Sequence, residues 1–335
     1  MTQPKLTFFC ELAAPALATL FAETTLMRQL TTLGADVSLG ILDLSPQRAS
    51  VVQRLNESGV PTIAWLLLPQ EQGYWFGAGN AAQAVSRYAN FRRWSQEHHL
   101  RWSGIGLDIE PDIREMQNLK TNPWALLPRL AGRALDMERL HRAQLSYTGL
   151  VAHIHADGYR VDSYHIPWIL DERKAGSTLL QRLAGLVDVP TDREVLMLYT
   201  SLGRPWGPAM LWTYGREAQS IGVGVTGGGV ELTEAIPPLE WEEFSRDLLL
   251  AAQQTKDIHI FSLEGCVRQG FMARLVAFDW GQHASIPSRA AQMALARQCL
   301  RTGLWVSNHP GLILAGIAAS LVLRGRCRKG GCSRT

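Results

Sequence analysis

Eight short apolar runs rich in β-branched and aromatic residues recur along this chain, each followed by a longer stretch with helix-forming composition. This alternation narrows the fold more than any other feature. The runs are Leu6–Leu12, Asp36–Leu44, Pro61–Leu68, Gly104–Glu110, Tyr159–Ile166, Glu194–Ser201, Ile221–Thr226 and Asp257–Leu263. Strands that alternate with helices pair in parallel through crossovers, and eight of them predict closure into a (β/α)8 TIM barrel of the α/β class. Between them, Ala81–His99, Pro123–Leu145 and Leu239–Lys256 suit amphipathic helices, while Pro46, Pro69, Pro111 and Pro205 mark the loops that leave strands. An open doubly wound sheet shares the alternation, but its phosphate-binding glycine signature is missing. The glycine-rich run Gly222–Gly229 comes only at the seventh strand and opens no helix at the required spacing.

The 335 residues divide into a barrel over 1–300 and a C-terminal hydrophobic extension over 301–335. The 48 residues between Glu110 and Tyr159 exceed one crossover, which predicts an added helix or flap beside the mouth. Five of the 33 basic residues (Arg324, Arg326, Arg328, Lys329, Arg334) sit in an acid-free tail. The body is therefore near neutral, with 30 acids, and nucleic acid is not an expected partner. Five scattered cysteines lack zinc-site or disulfide-framework spacing, in keeping with a reducing compartment. Residues 1–20 read as a first strand and helix rather than a signal peptide, because Glu11 interrupts the apolar stretch. The expected location is cytoplasmic. Pro310–Leu323 carries no charge but is short for a span, so with the basic tail to Lys329 it either anchors to an anionic membrane surface or packs on the barrel.

Side chains two apart on a strand share a face, so Gly104, Gly106, Asp108 and Glu110 form one row and Ile105, Leu107 and Ile109 the other. The apolar row belongs against helices. The other row then faces the barrel axis and sets two acids at the C-terminal mouth, where barrels of this class do chemistry. Carboxyls at alternate positions, roughly 6 to 7 Å apart along the strand, influence each other's protonation. In a dry cleft one keeps its proton for donation while the other stabilises a developing cation.

Ser103-Gly104-Ile105-Gly106-Leu107-Asp108-Ile109-Glu110 resembles the fourth-strand motif Asp-Gly-x-Asp-x-Asp-x-Glu of the chitinase-type glycoside hydrolases of family 18. The resemblance implies an eight-stranded barrel, with Glu110 as general acid and Asp108 orienting the N-acetyl group that serves as nucleophile. Ser103 and Gly106 stand where the motif has its first two acids. Met197-Leu198-Tyr199-Thr200 is similar to the family's Met-x-Tyr-Asp, with Tyr199 matching and Thr200 in place of Asp; this adds Tyr199 to the catalytic candidates.

Further residues converge on the mouth if strand ends meet there: Glu11, Asp43, His165 and Glu264. Glu264 is set against a plainer reading as a partner of Arg268, and His165 against a structural histidine. Eleven tryptophans are many, and Trp65, Trp75, Trp168, Trp206 and Trp212 fall near strand ends, where rings stack on sugars or simply pack. Trp94, Trp102, Trp241 and Trp280 read as packing. Substrate contacts are thus expected from Glu11, Trp65, His165, Trp168, Trp206 and Glu264, with no cofactor and no metal. The leading reading is a glycoside-hydrolase-like barrel acting on or binding a carbohydrate or other small molecule. One alternative is a non-catalytic carbohydrate-binding or scaffold barrel. Another is a metal-dependent isomerase or phosphodiesterase that uses Glu11, Glu110, His165 and Glu264, with the glycine run as a phosphate cradle.

Overall fold

Each of the eight apolar runs forms a strand. The computed structural model describes residues 2–116, 127–229, 237–309 and 311. The strands are β1 (Lys5–Cys10), β2 (Asp36–Ile41), β3 (Thr62–Leu66), β4 (Gly104–Ile109), β5 (Val161–His165), β6 (Arg193–Met197), β7 (Ser220–Gly224) and β8 (Asp257–Phe261). All neighbours pair in parallel and β8 closes on β1, giving the (β/α)8 barrel that the alternation predicts. Helices wrap it: α1 (Ala14–Ala22), α2 (Thr24–Leu33), α3 (Pro46–Glu57), α4 (Ala81–Glu97), α5 (Leu127–Leu135), α6 (Met137–Ala156), α7 (Trp168–Ala175) and α8 (Leu179–Ala184). They continue with α9 (Gly207–Gly215), α10 (Trp241–Ala252), α11 (Leu263–Arg268), α12 (Phe271–Val276) and α13 (Ala290–Ser307).

Two expected boundaries differ for local reasons. The stretch read as one helix to Leu145 is two among its described residues, because Asp136 leaves helical geometry and caps α6 by accepting from the Arg139 N–H at 2.9 Å. The eighth strand stops at Phe261, since Ser262 caps α11 by accepting from the Gly265 N–H at 3.2 Å. Apolar residues continue past that cap, so hydrophobicity alone carries the strand too far.

The apolar core lies in two layers. Ile105, Leu107 and Ile109 join Leu6, Phe8, Val37, Leu39, Ile258 and Ile260 in the shell between barrel and helices. Phe9, Trp65, Tyr164, Val195 and Met197 fill the barrel itself. The alternation along each strand produces both layers at once. The floor of the barrel is polar: Arg193 pairs with Asp162 and, at 2.6 Å, with Asp257, and Lys5 meets Asp36 at 2.7 Å. These pairs close the N-terminal end and leave the carboxyl-terminal end of the strands for function.

α13 runs across residue 300 and is fastened to the barrel by charge. The fully buried Asp171 of α7 accepts from Arg297 at 2.9 Å, Arg301 at 2.6 Å and the Tyr214 hydroxyl at 2.5 Å. No helix among the described residues is long and apolar enough to cross a membrane. Apart from Gly311, the segment 310–335 on which the membrane-surface expectation rests lies outside the described residues.

Candidate active site at the barrel mouth

β4 delivers its acids as the alternation requires. Asp108 ends the inward row and is 2% exposed, while Glu110 follows the strand and keeps partial exposure. Their carboxyls lie within hydrogen-bonding reach of each other. Trp65, inward on β3 and paired in register with Gly106, donates its indole N–H to Asp108 Oδ2 at 3.0 Å. Asp108 Oδ1 is buried with no other hydrogen-bond partner among the described residues. No arginine or lysine pairs with either acid among the described residues. Burial raises both carboxyls, and for Asp108 the nearby charges of Glu110 and then Glu11 add to it; Glu110 is pushed up to about 7.

The backbone that carries Glu110 is clamped by the loop after β3. The Phe76 N–H donates to the Asp108 carbonyl at 2.8 Å, and the Glu110 N–H to the Phe76 carbonyl at 3.2 Å. This loop also supplies Tyr74, whose φ of 64° is uncommon for an aromatic residue and whose hydroxyl donates to Glu11 Oε1. Tyr74 is a site residue that the sequence reading passed over; its position in the loop after the third strand was the available signal. Glu11 follows β1, and its N–H donates to Glu264 Oε1 at 3.4 Å. Burial raises the Glu264 carboxyl, and the Glu11 N–H is among the donors that pull it down.

Glu264 reaches this group from the first turn of α11 rather than from a strand end. It accepts from the Glu11 backbone and is bonded to Ser262 and Cys10, and no bond to Arg268 occurs among the described residues. Asp43 pairs with the fully buried Arg48 at 2.8 Å and is held at about 2, its own burial opposing that pull.

Tyr199 leaves β6 into the same space. Its ring packs where side chains at Gly222 and Gly224 would stand, and a Cβ on either would lie 3.3 Å from it. Burial, then the charges of Asp108, Glu110 and Glu11, keep its phenol protonated. Tyr199 also stacks obliquely on Phe261, ring centres 5.6 Å apart. Thr200, at the motif's Asp position, instead donates to the buried Asp247 of α10.

Gly106 has a physical reason. A Cβ there would lie 2.4 Å from the Tyr164 hydroxyl, and that hydroxyl bonds Ser38 Oγ at 2.8 Å. The volume of the motif's missing acid is taken up by an aromatic ring from the adjacent strand. Gly227, Gly228 and Gly229 take φ values of 112°, 91° and 82° and run over the acids: a Cβ on Gly228 would meet Glu264 Oε1 at 2.5 Å, and one on Gly229 would meet Glu11 Oε2 at 3.0 Å. Carboxyls so close disfavour an anion, which counts against this run as a phosphate cradle.

His165 does not join the mouth. Tyr164 points into the barrel, so its neighbour points out, and His165 is buried beside Asp188, Glu194 and Arg173. The metal-enzyme grouping of His165 with Glu11, Glu110 and Glu264 is therefore split across two faces of the wall. Trp65, expected as a substrate contact, is 3% exposed and lies under the acids. Trp168 and Trp206 are 48% and 41% exposed, with Arg289 lying 4.8 Å over the Trp206 ring. Trp94, Trp102 and Trp280 are packed. Beside Glu110, between Trp75, Asn80, Arg133 and Arg139, lies a cavity of about 30 Å³, room for a water molecule or two.

No family model and no curated protein matches the chain. Among solved structures it is similar to a GH18 chitinase from Pseudoalteromonas aurantia, with 10% identity over 82% of this chain and 99% of that one and a TM-score of 0.48. It is also similar to the PgaB (BpsB) glycoside hydrolase domain from Bordetella bronchiseptica, with 8% identity, coverages of 82% and 98% and a TM-score of 0.48. A mutant tryptophan synthase α-subunit from Pyrococcus furiosus aligns with 13% identity, coverages of 82% and 98% and a TM-score of 0.42. The barrel rests on the strand topology of this chain, and its chemistry has to be argued from the side chains.

Proposed function

We propose that this barrel binds a carbohydrate at its mouth and cleaves a glycosidic bond, with Glu110 as general acid and Asp108 as its partner carboxyl. The observation that carries the reading is the pair itself: two neighbouring acids, Asp108 buried and Glu110 partly so, neither ion-paired to an arginine or lysine among the described residues, so that one proton is retained near neutral pH. The proton of the pair, held more firmly by Asp108, passes through Glu110, the more exposed of the two, to the leaving glycosidic oxygen. Asp108, anchored by the Trp65 N–H, stays beneath to orient an acetamido group or balance the developing positive charge. Tyr199 offers a neutral hydroxyl in the same space.

The test is hydrolysis of chromogenic N-acetylglucosaminides and other glycosides by wild type and E110Q. A fall in kcat of about 100-fold or more is expected, in the range that general acid catalysis supplies. Equal activity of the two proteins would refute the acid assignment.

A non-catalytic carbohydrate-binding barrel is favoured by one feature. Tyr164 occupies the space beside Gly106, where the motif has one of its interior acids. Binding of an N-acetylglucosamine oligomer without any hydrolysis would establish that second reading.

A further inference from the structure

A second polar cluster lies on the outer wall of the barrel, facing away from the mouth. His165 is 1% exposed, and neither of its ring nitrogens has a hydrogen-bond partner among the described residues. Asp188, in the turn before β6, and Glu194, the second residue of β6, stand beside it. One nitrogen of His165 and one oxygen of each carboxylate all lie within 4.8 Å of one another. Arg173 of α7 donates to Asp188 through two nitrogens at 2.6 Å each, and also to Glu194.

Two carboxylates against one guanidinium leave the cluster one negative charge in excess. A fully buried imidazole without a hydrogen bond is costly, and one aimed at two acids is arranged as a ligand before any ion arrives.

We propose that His165, Asp188 and Glu194 form a binding site for a divalent transition ion of the zinc type, which takes the place of the Arg173 guanidinium between the two carboxylates. One imidazole nitrogen and two carboxylate oxygens match the ligand preference of zinc, with a fourth position left for water. Ligand bonds of about 2.0–2.2 Å require the three atoms to draw together by roughly an ångström, a movement open to Asp188 in its loop. The Arg173 side chain is 35% exposed and can swing to solvent as it is exchanged. The bound ion would tie β5, β6 and the loop before β6 together behind the wall. It stands apart from the proposed glycosidase chemistry.

Full-length protein stripped with a chelator and titrated with Co2+ alone gives the readout, a visible d–d absorption that saturates at one equivalent. H165Q is expected to weaken binding by about 100-fold, the loss of a first ligand exceeding what outer partners contribute. R173M is expected to tighten it by about tenfold, since no guanidinium competes for the carboxylates. A surface alternative exists in His155 and Asp192, 2.8 Å apart, and H155Q should leave the titration unchanged. If far-UV circular dichroism shows H165Q unfolded, D188N replaces it with the same expectation. The proposal is overturned if wild type and R173M both show no absorption, if R173M binds no tighter than wild type, or if H165Q retains the band.

Discussion

Replacing Glu110 by glutamine should make the protein more stable, and only above a definite pH. The Glu110 carboxyl is pushed up to about 7 from an ordinary 4.5, chiefly by burial, with its bond to Asp108 acting the other way. The folded state therefore holds this proton more tightly than the unfolded chain does. Below about 4.5 both states are protonated and the favourable contribution is complete. It drains away as pH rises through 7, where the folded carboxyl must ionise in its buried site. A difference of about 2.5 in pKa corresponds to about 3 kcal/mol at 1.36 kcal/mol per unit. Glutamine keeps the shape of the neutral acid, and its amide can donate to Asp108 Oδ1, so E110Q should escape the loss. Scanning calorimetry of both proteins from pH 4.5 to 8.5 is the assay. The variant should match wild type at the acid end and exceed its Tm at pH 8.5 by about 5 °C, scaling from typical unfolding entropies. A variant destabilised equally at both ends would show that Glu110 is held by charge–charge attraction and that the shared-proton picture is wrong.

Restoring the motif acid with G106D should cost about 3 kcal/mol or more, because the new side chain meets Tyr164 2.4 Å from its first atom; urea unfolding indistinguishable from wild type would contradict this. D171A should cost about 3–5 kcal/mol by leaving Arg297, 5% exposed, without its buried carboxylate. Limited proteolysis should then cut first between Gly281 and Arg289, ahead of the loosened α13, whereas an unchanged digestion pattern would mean that apolar contact alone holds the helix.

Much of the fold was legible because it rests on local pattern. The phase of β4 could be read from Ile105, Leu107 and Ile109, and it placed Asp108 and Glu110 on the correct face with no tertiary information. β5 offers no such pattern: in Val161-Asp162-Ser163-Tyr164-His165 polar side chains occur on both faces, so nearness to a strand end says nothing of orientation, and His165 falls on the outer side of the wall. Glu264 reached the site from a helix cap that apolar continuity had hidden. The fit of Tyr164 over Gly106 joins residues 58 apart in sequence, and no local signal reports it. The acids were visible as a motif; that neither has an arginine or lysine ion pair among the described residues is something only the assembled barrel reveals.

The contact between Tyr164 and Gly106 also constrains the history of this chain. An acid at position 106 and the Tyr164 ring as it stands compete for one space, so either gains its place only when the other yields. Substitutions at the two positions should therefore not act independently. If the ancestor carried the acid, its loss had to come before the arrival of the aromatic ring, and the ring then locked that loss in place. Homologues should accordingly fall into two classes, acid with a small partner or glycine with a large one, with the mixed combination of two bulky residues missing.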